Sequence, residues 1–287
     1  MSFERLRERY NTLKKYSFEG YLSAELTDTL KDIYEISAGI LYDLDSVELN
    51  SQIQGKEYFA FEKGGKKSRA IRHGLYKNDQ KKISKFFRSM HGGFFAGIGS
   101  EELTSAVYTI AISFCACIDL FKIRDQKTPG TFFEIFIGSL FARRINKAPI
   151  KSLEILNLDM STSLPTDFIF DLGANKIKFH VPVKTSTRER VIQVWAHQRV
   201  LDGVYGWGRF NGILIVMSET KTDSKNNSVI EICLPDQWRL YQMFISQMQR
   251  VYYLDLPDKY RKLNDVFPKI KVAPFGEFFH ETDNLIK

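Results

Sequence analysis

The stretch Asp167–Lys184, "DFIFDLGANKIKFHVPVK", decides the fold. "DFIFDL" and "KIKFHVPV" are short runs rich in β-branched and aromatic residues, and Gly173 and Asn175 between them supply hairpin turn chemistry. The turn brings the outer ends of the ribbon together. Asp167 on the first strand and Lys184 on the second are therefore expected on neighbouring strands, about 5 Å apart. An otherwise apolar hairpin thus carries one acid and one amine to a shared place. Asp171, beside the turn, fits an Asx role instead.

Working outward, "RERVIQVWAHQRVLDG" has helical spacing through Val191, Val194, Trp195 and Gln198, ending at Gly203. "LEILNL", "NGILIVMSE" and "SVIEICL" read as further strands, and "PDQWRLYQMFISQMQRVYYL" as one long final helix from Pro235. Upstream, "GSEELTSAVYTIAISFCACIDLFKI" predicts a buried helix with Ser100 in the cap position, and "KTPGTFFEIFIGSLFARRIN" a second one capped by Thr128. Residues 3–43 predict two amphipathic helices. Residues 55–93, rich in Gly and Lys, predict a basic loop leading into a short helix near Lys81–Arg88. The sum is an α/β protein with a mixed central β-sheet flanked by helices and a helical N-terminal part. The expected division is 1–95, a helical N-terminal region with a basic segment, and 96–287, the core with its C-terminal helix.

The 287 residues carry 41 Lys and Arg against 34 Asp and Glu, a formal charge of +7. The surplus is local: Lys56 to Arg88 holds eleven Lys or Arg against Glu57, Glu62 and Asp79, interleaved with Tyr and Phe. A phosphate-facing surface needs such a mixture. Cys115, Cys117 and Cys233 form no CxxC and no zinc spacing, which argues against a disulfide framework and fits a reducing compartment. The charged start "MSFERLRERYNTLKK" has no apolar signal core, and the longest apolar run stops at Asp119. A soluble cytoplasmic protein is expected.

An acid and a lysine at one site have a definite chemistry. The carboxylate can hold a divalent cation, and the lysine can position or deprotonate a water and steady charge on a phosphate under in-line attack. Glu134, one turn into its helix among phenylalanines, is the obvious second acid.

With "FFEIF" on the preceding helix, "LPTDFIF" and "HVPVK" resemble the core of the PD-(D/E)XK nucleases over roughly residues 128–235. "KTSTRER" sharpens the resemblance. It is similar to the Arg-(Asp/Glu)-Arg element that follows the catalytic lysine in restriction endonucleases reading CCGG, or CC and GG around one base pair. Arg188, Glu189 and Arg190 stand at the matching positions. Guanidinium forks donate to O6 and N7 of guanine and a carboxylate accepts from N4 of cytosine, so the triplet suits two adjacent G·C pairs.

The resemblance implies a Mg²⁺-dependent type II restriction endonuclease, acting as a homodimer on a palindromic duplex, with a cognate methyltransferase protecting the same site. Its departures are Pro182, where a second acid belongs, and His197 and Gln198, where a helix glutamate substitutes in the CC/GG-reading group. The implied metal shell is then Asp167, Glu134, the Val183 carbonyl and waters, with His197 or Gln198 as a neutral partner. The alternatives are a structure-directed repair or recombination nuclease of the same core, a DNA-binding protein whose nuclease site has decayed, and an RNA-binding helical protein.

Overall fold

The computed structural model describes residues 2–122, 124–155, 162–174, 176–188, 191–223 and 226–286. The elements of the amino-terminal part are α1 (Phe3–Glu19), α2 (Ala24–Tyr42), β1 (Asp45–Ser51), β2 (Tyr58–Lys63), β3 (Lys66–Lys67), β4 (Ile71–Arg72), α3 (Gln80–Gly92), α4 (Ser100–Phe121) and α5 (Lys127–Ile145). They are followed by β5 (Ile150–Ile155), β6 (Thr162–Asp171), β7 (Lys178–His180), β8 (Val183–Lys184), α6 (Val191–Tyr205), β9 (Phe210–Val216), β10 (Thr220–Asp223) and β11 (Ser228–Glu231). The chain closes with α7 (Pro235–Phe244), β12 (Met248–Tyr253), α8 (Asp258–Arg261), β13 (Val272–Pro274) and α9 (Glu277–Leu285).

A mixed sheet in the order β13-β12-β9-β7-β6-β5, with β8 also on β9, forms the centre. Period-two alternation assigns its faces. Ile213 and Ile215 of β9 join Phe168, Phe170 and Phe179 in the core under α1–α5 and α9. Leu214 and Val216 face the other way, with Val194 and Trp195 of α6 and Trp238 of α7. The result is helices on both faces of a sheet. α4 is long and apolar enough to cross a membrane, but 89% of its apolar window is buried within the protein, so it is the core helix here.

A second sheet, β10-β11-β1-β2-β3 with β4 on β2, is the main departure from the sequence expectation. The 1–95 segment is therefore not helical throughout, and β2, β3 and β4 stand where the 55–93 segment was expected to begin as a basic loop. β11, from beyond residue 96, pairs in parallel with β1 and completes this sheet. The final segment also divides: α7 stops at Phe244, and Met248–Tyr253 is a strand between β9 and β13. At the start of α5 the side chain of Asp125, not Thr128, accepts from the Lys127 and Thr128 amides at 3.1 and 2.9 Å.

The turn into α9 packs directly on the start of α4. A Cβ at Gly276 would lie 1.9 Å from the Ser100 carbonyl oxygen, whereas one at Gly97 would meet nothing within 4 Å. Gly276→Ala is expected to destabilise the protein by about 2–3 kcal/mol, because backbone must move to admit the methyl group. Urea unfolding checks this with Gly97→Ala as the near-neutral control; equal midpoints for the two variants would contradict it.

Candidate active site

The β6–β7 hairpin forms as the sequence predicts, with Ile169 opposite His180 and Asp171 opposite Lys178. Asp171 Oδ1 accepts from the Gly173 amide at 2.9 Å, closing the Asx turn, and Gly173 takes φ +122°. Asn175 lies outside the described residues. Beyond His180 the ribbon splits. Val181 still donates to Phe168 O at 2.9 Å, but Pro182 has no N–H to continue the ladder. The chain then crosses to β9, pairing Val183 with Ile215 and Lys184 with Val216.

Asp167 spans the split. Its Oδ2 accepts from the Val183 amide at 2.8 Å and from Lys184 Nζ at 2.6 Å. The expected acid–amine pair is thus present, with Lys184 on a strand bonded to β9 rather than to β6. Strand parity puts Asp167, His180 and Lys184 on the α6 side of the sheet. There they line a cavity of about 40 Å³ with Pro165, Thr166 and His197. Thr166 Oγ1 is buried with no partner among the described residues. Burial, and then the nearby Lys184 ammonium, hold the His197 imidazole below its ordinary range.

The other expected residues are placed differently. Glu134 does not line this cavity; its carboxylate accepts from Lys151 Nζ at 2.9 Å, on the α5 side. Gln198 is buried and its amide is engaged by His180, Asp202 and the Phe210 carbonyl. Val183 meets Asp167 through its amide. Among the described residues no three His, Cys, Asp or Glu side chains converge as a metal-binding group. The donors that strand parity places there, one carboxylate and the His180 imidazole, with His197 beside them, suit a single cation that keeps several waters.

Arg188 is exposed at φ +37° and lines a groove of about 820 Å³ with Lys66, Lys67, Arg124 and Lys221. Glu189 and Arg190 lie outside the described residues. The basic segment 56–88 is not one charged face. Lys56 is buried against Glu231 and Asp255, Arg69 pairs with Asp119, and Arg72 pairs with Asp255. Lys66, Lys67 and the Asp119-paired Arg69 are the basic residues of it that reach the groove.

Two residues escaped the sequence reading. Glu219, buried after β9, accepts from the Thr187 amide at 3.0 Å, the Thr187 hydroxyl and Tyr253 Oη at 2.9 Å, and thereby fixes the turn that presents Arg188. Burial pushes its carboxyl pKa up, and those donors work against the rise. Nothing local in "VMSET" marks it. His180 did leave a signal: in a strand, His180, Pro182 and Lys184 are spaced by two and share a face.

No family model matches the sequence, and no curated protein matches it. Among solved structures, the type IIP restriction endonuclease Kpn2I superposes with a TM-score of 0.82 at 25% identity, over 99% of this chain and 98% of that one. The protein has the fold of a type II restriction endonuclease. The likeness takes in the amino-terminal helices and the second sheet as well as the central sheet, since it runs the whole length of both chains. Restriction endonuclease PspGI in complex with substrate DNA matches at a TM-score of 0.42 and 14% identity, over 65% of this chain and 78% of that one.

Proposed function

We propose that the protein is a type II site-specific deoxyribonuclease that hydrolyses phosphodiester bonds of duplex DNA, with Mg²⁺, at a palindrome containing CC and GG. The observation that carries this reading is the Asp167–Lys184 pair at the split of the hairpin, in a chain similar to Kpn2I over its whole length. Asp167, the Val183 carbonyl and waters would hold the cation, which supplies Lewis-acid polarisation of the attacked phosphate when bound. Glu134, tied to Lys151, would join them only by leaving that partner.

Lys184 would hydrogen-bond the attacking water or a phosphate oxygen through its ammonium. Arg188, followed by Glu189 and Arg190, would read G·C pairs from the start of α6 in the major groove. Lys66, Lys67 and Lys221 would hold the phosphate backbone along the same groove. A palindrome is read by a two-fold symmetric pair, so the working unit is a homodimer, acting in the cytoplasm beside a methyltransferase of the same specificity.

Unmethylated phage DNA incubated with the purified protein and Mg²⁺ is expected to give discrete fragments whose sequenced ends share one CC/GG-containing palindrome, with none formed in EDTA. A smear would favour a structure-directed nuclease. Intact DNA retarded on a gel would favour the binding-only alternative. Retardation should weaken steeply with added salt, because each neutralised phosphate releases counterions.

A further inference from the structure

Pro182, His197 and Gln198 occupy the places where a second acid would complete the cation site, and none of them is acidic. The structure points instead to a residue outside those positions. The Gln198 amide is fixed by its donors: Nε2 gives one hydrogen bond to Asp202 Oδ1 at 3.1 Å and one to the Phe210 carbonyl at 2.9 Å. Its Oε1 therefore faces His180 Nδ1, at 3.0 Å. An amide oxygen only accepts, so Nδ1 carries the ring proton and Nε2 is left with its lone pair.

The surroundings preserve that arrangement. His180 is 1% exposed and lines the small cavity together with Asp167 and Lys184. No hydrogen bond to its Nε2 is found among the described residues. Gly212, the β9 residue opposite His180, makes room for the amide; a Cβ there would stand 2.7 Å from Gln198 Oε1.

We propose that His180 Nε2 is the second side-chain donor to the divalent cation at Asp167, with Gln198 as the positioning residue that sets its tautomer and ring orientation. This rests on the nuclease reading. A neutral imidazole whose other N–H is held by an oriented acceptor is how proteins present histidine to metals. A nitrogen donor also biases the site: Mn²⁺ and Co²⁺ accept imidazole more readily than Mg²⁺, so cleavage supported by Mn²⁺ should equal or exceed that supported by Mg²⁺.

The test is Mn²⁺ binding to the full chain, read by pulsed EPR for directly bound nitrogen, beside DNA cleavage by the same preparations. Wild type is expected to show the coupling of one imidazole nitrogen. It should vanish in His180→Gln, with Mn²⁺ affinity lowered about tenfold, and persist in His197→Gln. Should His180→Gln fail to fold, Gly212→Ala displaces the Gln198 amide while keeping the ring, and is expected to weaken the coupling. Mn²⁺ bound without nitrogen coupling, coupling unchanged in His180→Gln, coupling lost in His197→Gln, or no Mn²⁺ bound at millimolar concentration would each overturn the assignment. Cleaved DNA without nitrogen coupling sinks this inference alone. Nitrogen-coupled Mn²⁺ with DNA left intact sinks the nuclease reading and keeps the site.

Discussion

Lys184→Ala is expected to lower DNA cleavage by about 10³-fold while leaving duplex retention on a gel unchanged. Among the described residues lining the cavity, Lys184 is the one lysine or arginine, and burial lowers the pKa of both histidines beside it. Removing it takes away the group that can meet charge building on the phosphate. It also frees Asp167 Oδ2 from its 2.6 Å partner. Lys184→Arg should not restore the rate, since a planar fork cannot occupy a place shaped for a compact ammonium. Single-turnover cleavage measured beside gel retardation checks both statements. Cutting within tenfold of wild type by Lys184→Ala would remove this lysine from the chemistry, and joint loss of binding and cutting would make it a structural residue.

Asp255→Ala is expected to cost about 3–5 kcal/mol of folding stability. Asp255 is 2% exposed and accepts from Lys56 Nζ at 3.2 Å, Arg72 Nη1 at 2.8 Å and Tyr58 Oη at 2.7 Å. These donors come from the second sheet and its loops, while Asp255 directly follows the β12 segment of the central one. Deleting the carboxylate leaves Lys56, itself 4% exposed, with Glu231 as its remaining acid and Tyr58 without its acceptor. A buried cation that has lost a partner is costly because water cannot replace that partner. Urea unfolding measures the loss, and a change below about 1 kcal/mol would show that the pair of sheets does not depend on this carboxylate.

Much of the fold and of the site could be read from the chain because the relevant signals are local. The hairpin carries its own turn chemistry, α4 and α6 carry their own periodicity, and Lys184 stands at the end of an apolar run. β2 was missed for a physical reason. Tyr58 and Ala60 pack into one cluster and Phe59 and Phe61 into another, so a strand buried on both faces shows no alternation. The boundary between α7 and β12 contains neither Gly nor Pro. It is made by Gln242, whose side chain accepts from the Met248 amide at 3.0 Å and donates to its carbonyl at 3.2 Å. Such a contact exists only once the turn has formed.

Glu134 illustrates the converse. A glutamate one turn into a helix beside the sheet looked like a second acid, but its direction depends on Lys151, which packs against the Tyr21 and Phe168 rings. Spacing along the sequence cannot reveal that partner. The same holds for Glu219, whose worth lies in donors from Thr187 and Tyr253.

The pairing of β11 with β1 bears on how this scaffold could be re-engineered. Neither half of the chain is a cassette. Residues 1–95 taken without β11 would expose β1 as an open edge, an invitation to pair with another chain. The core left behind would meanwhile keep a β10–β11 hairpin with nothing to lie against. Any exchange intended to move the groove beside Arg188 has to carry 45–72 and 220–231 together, as two grafts made in one step.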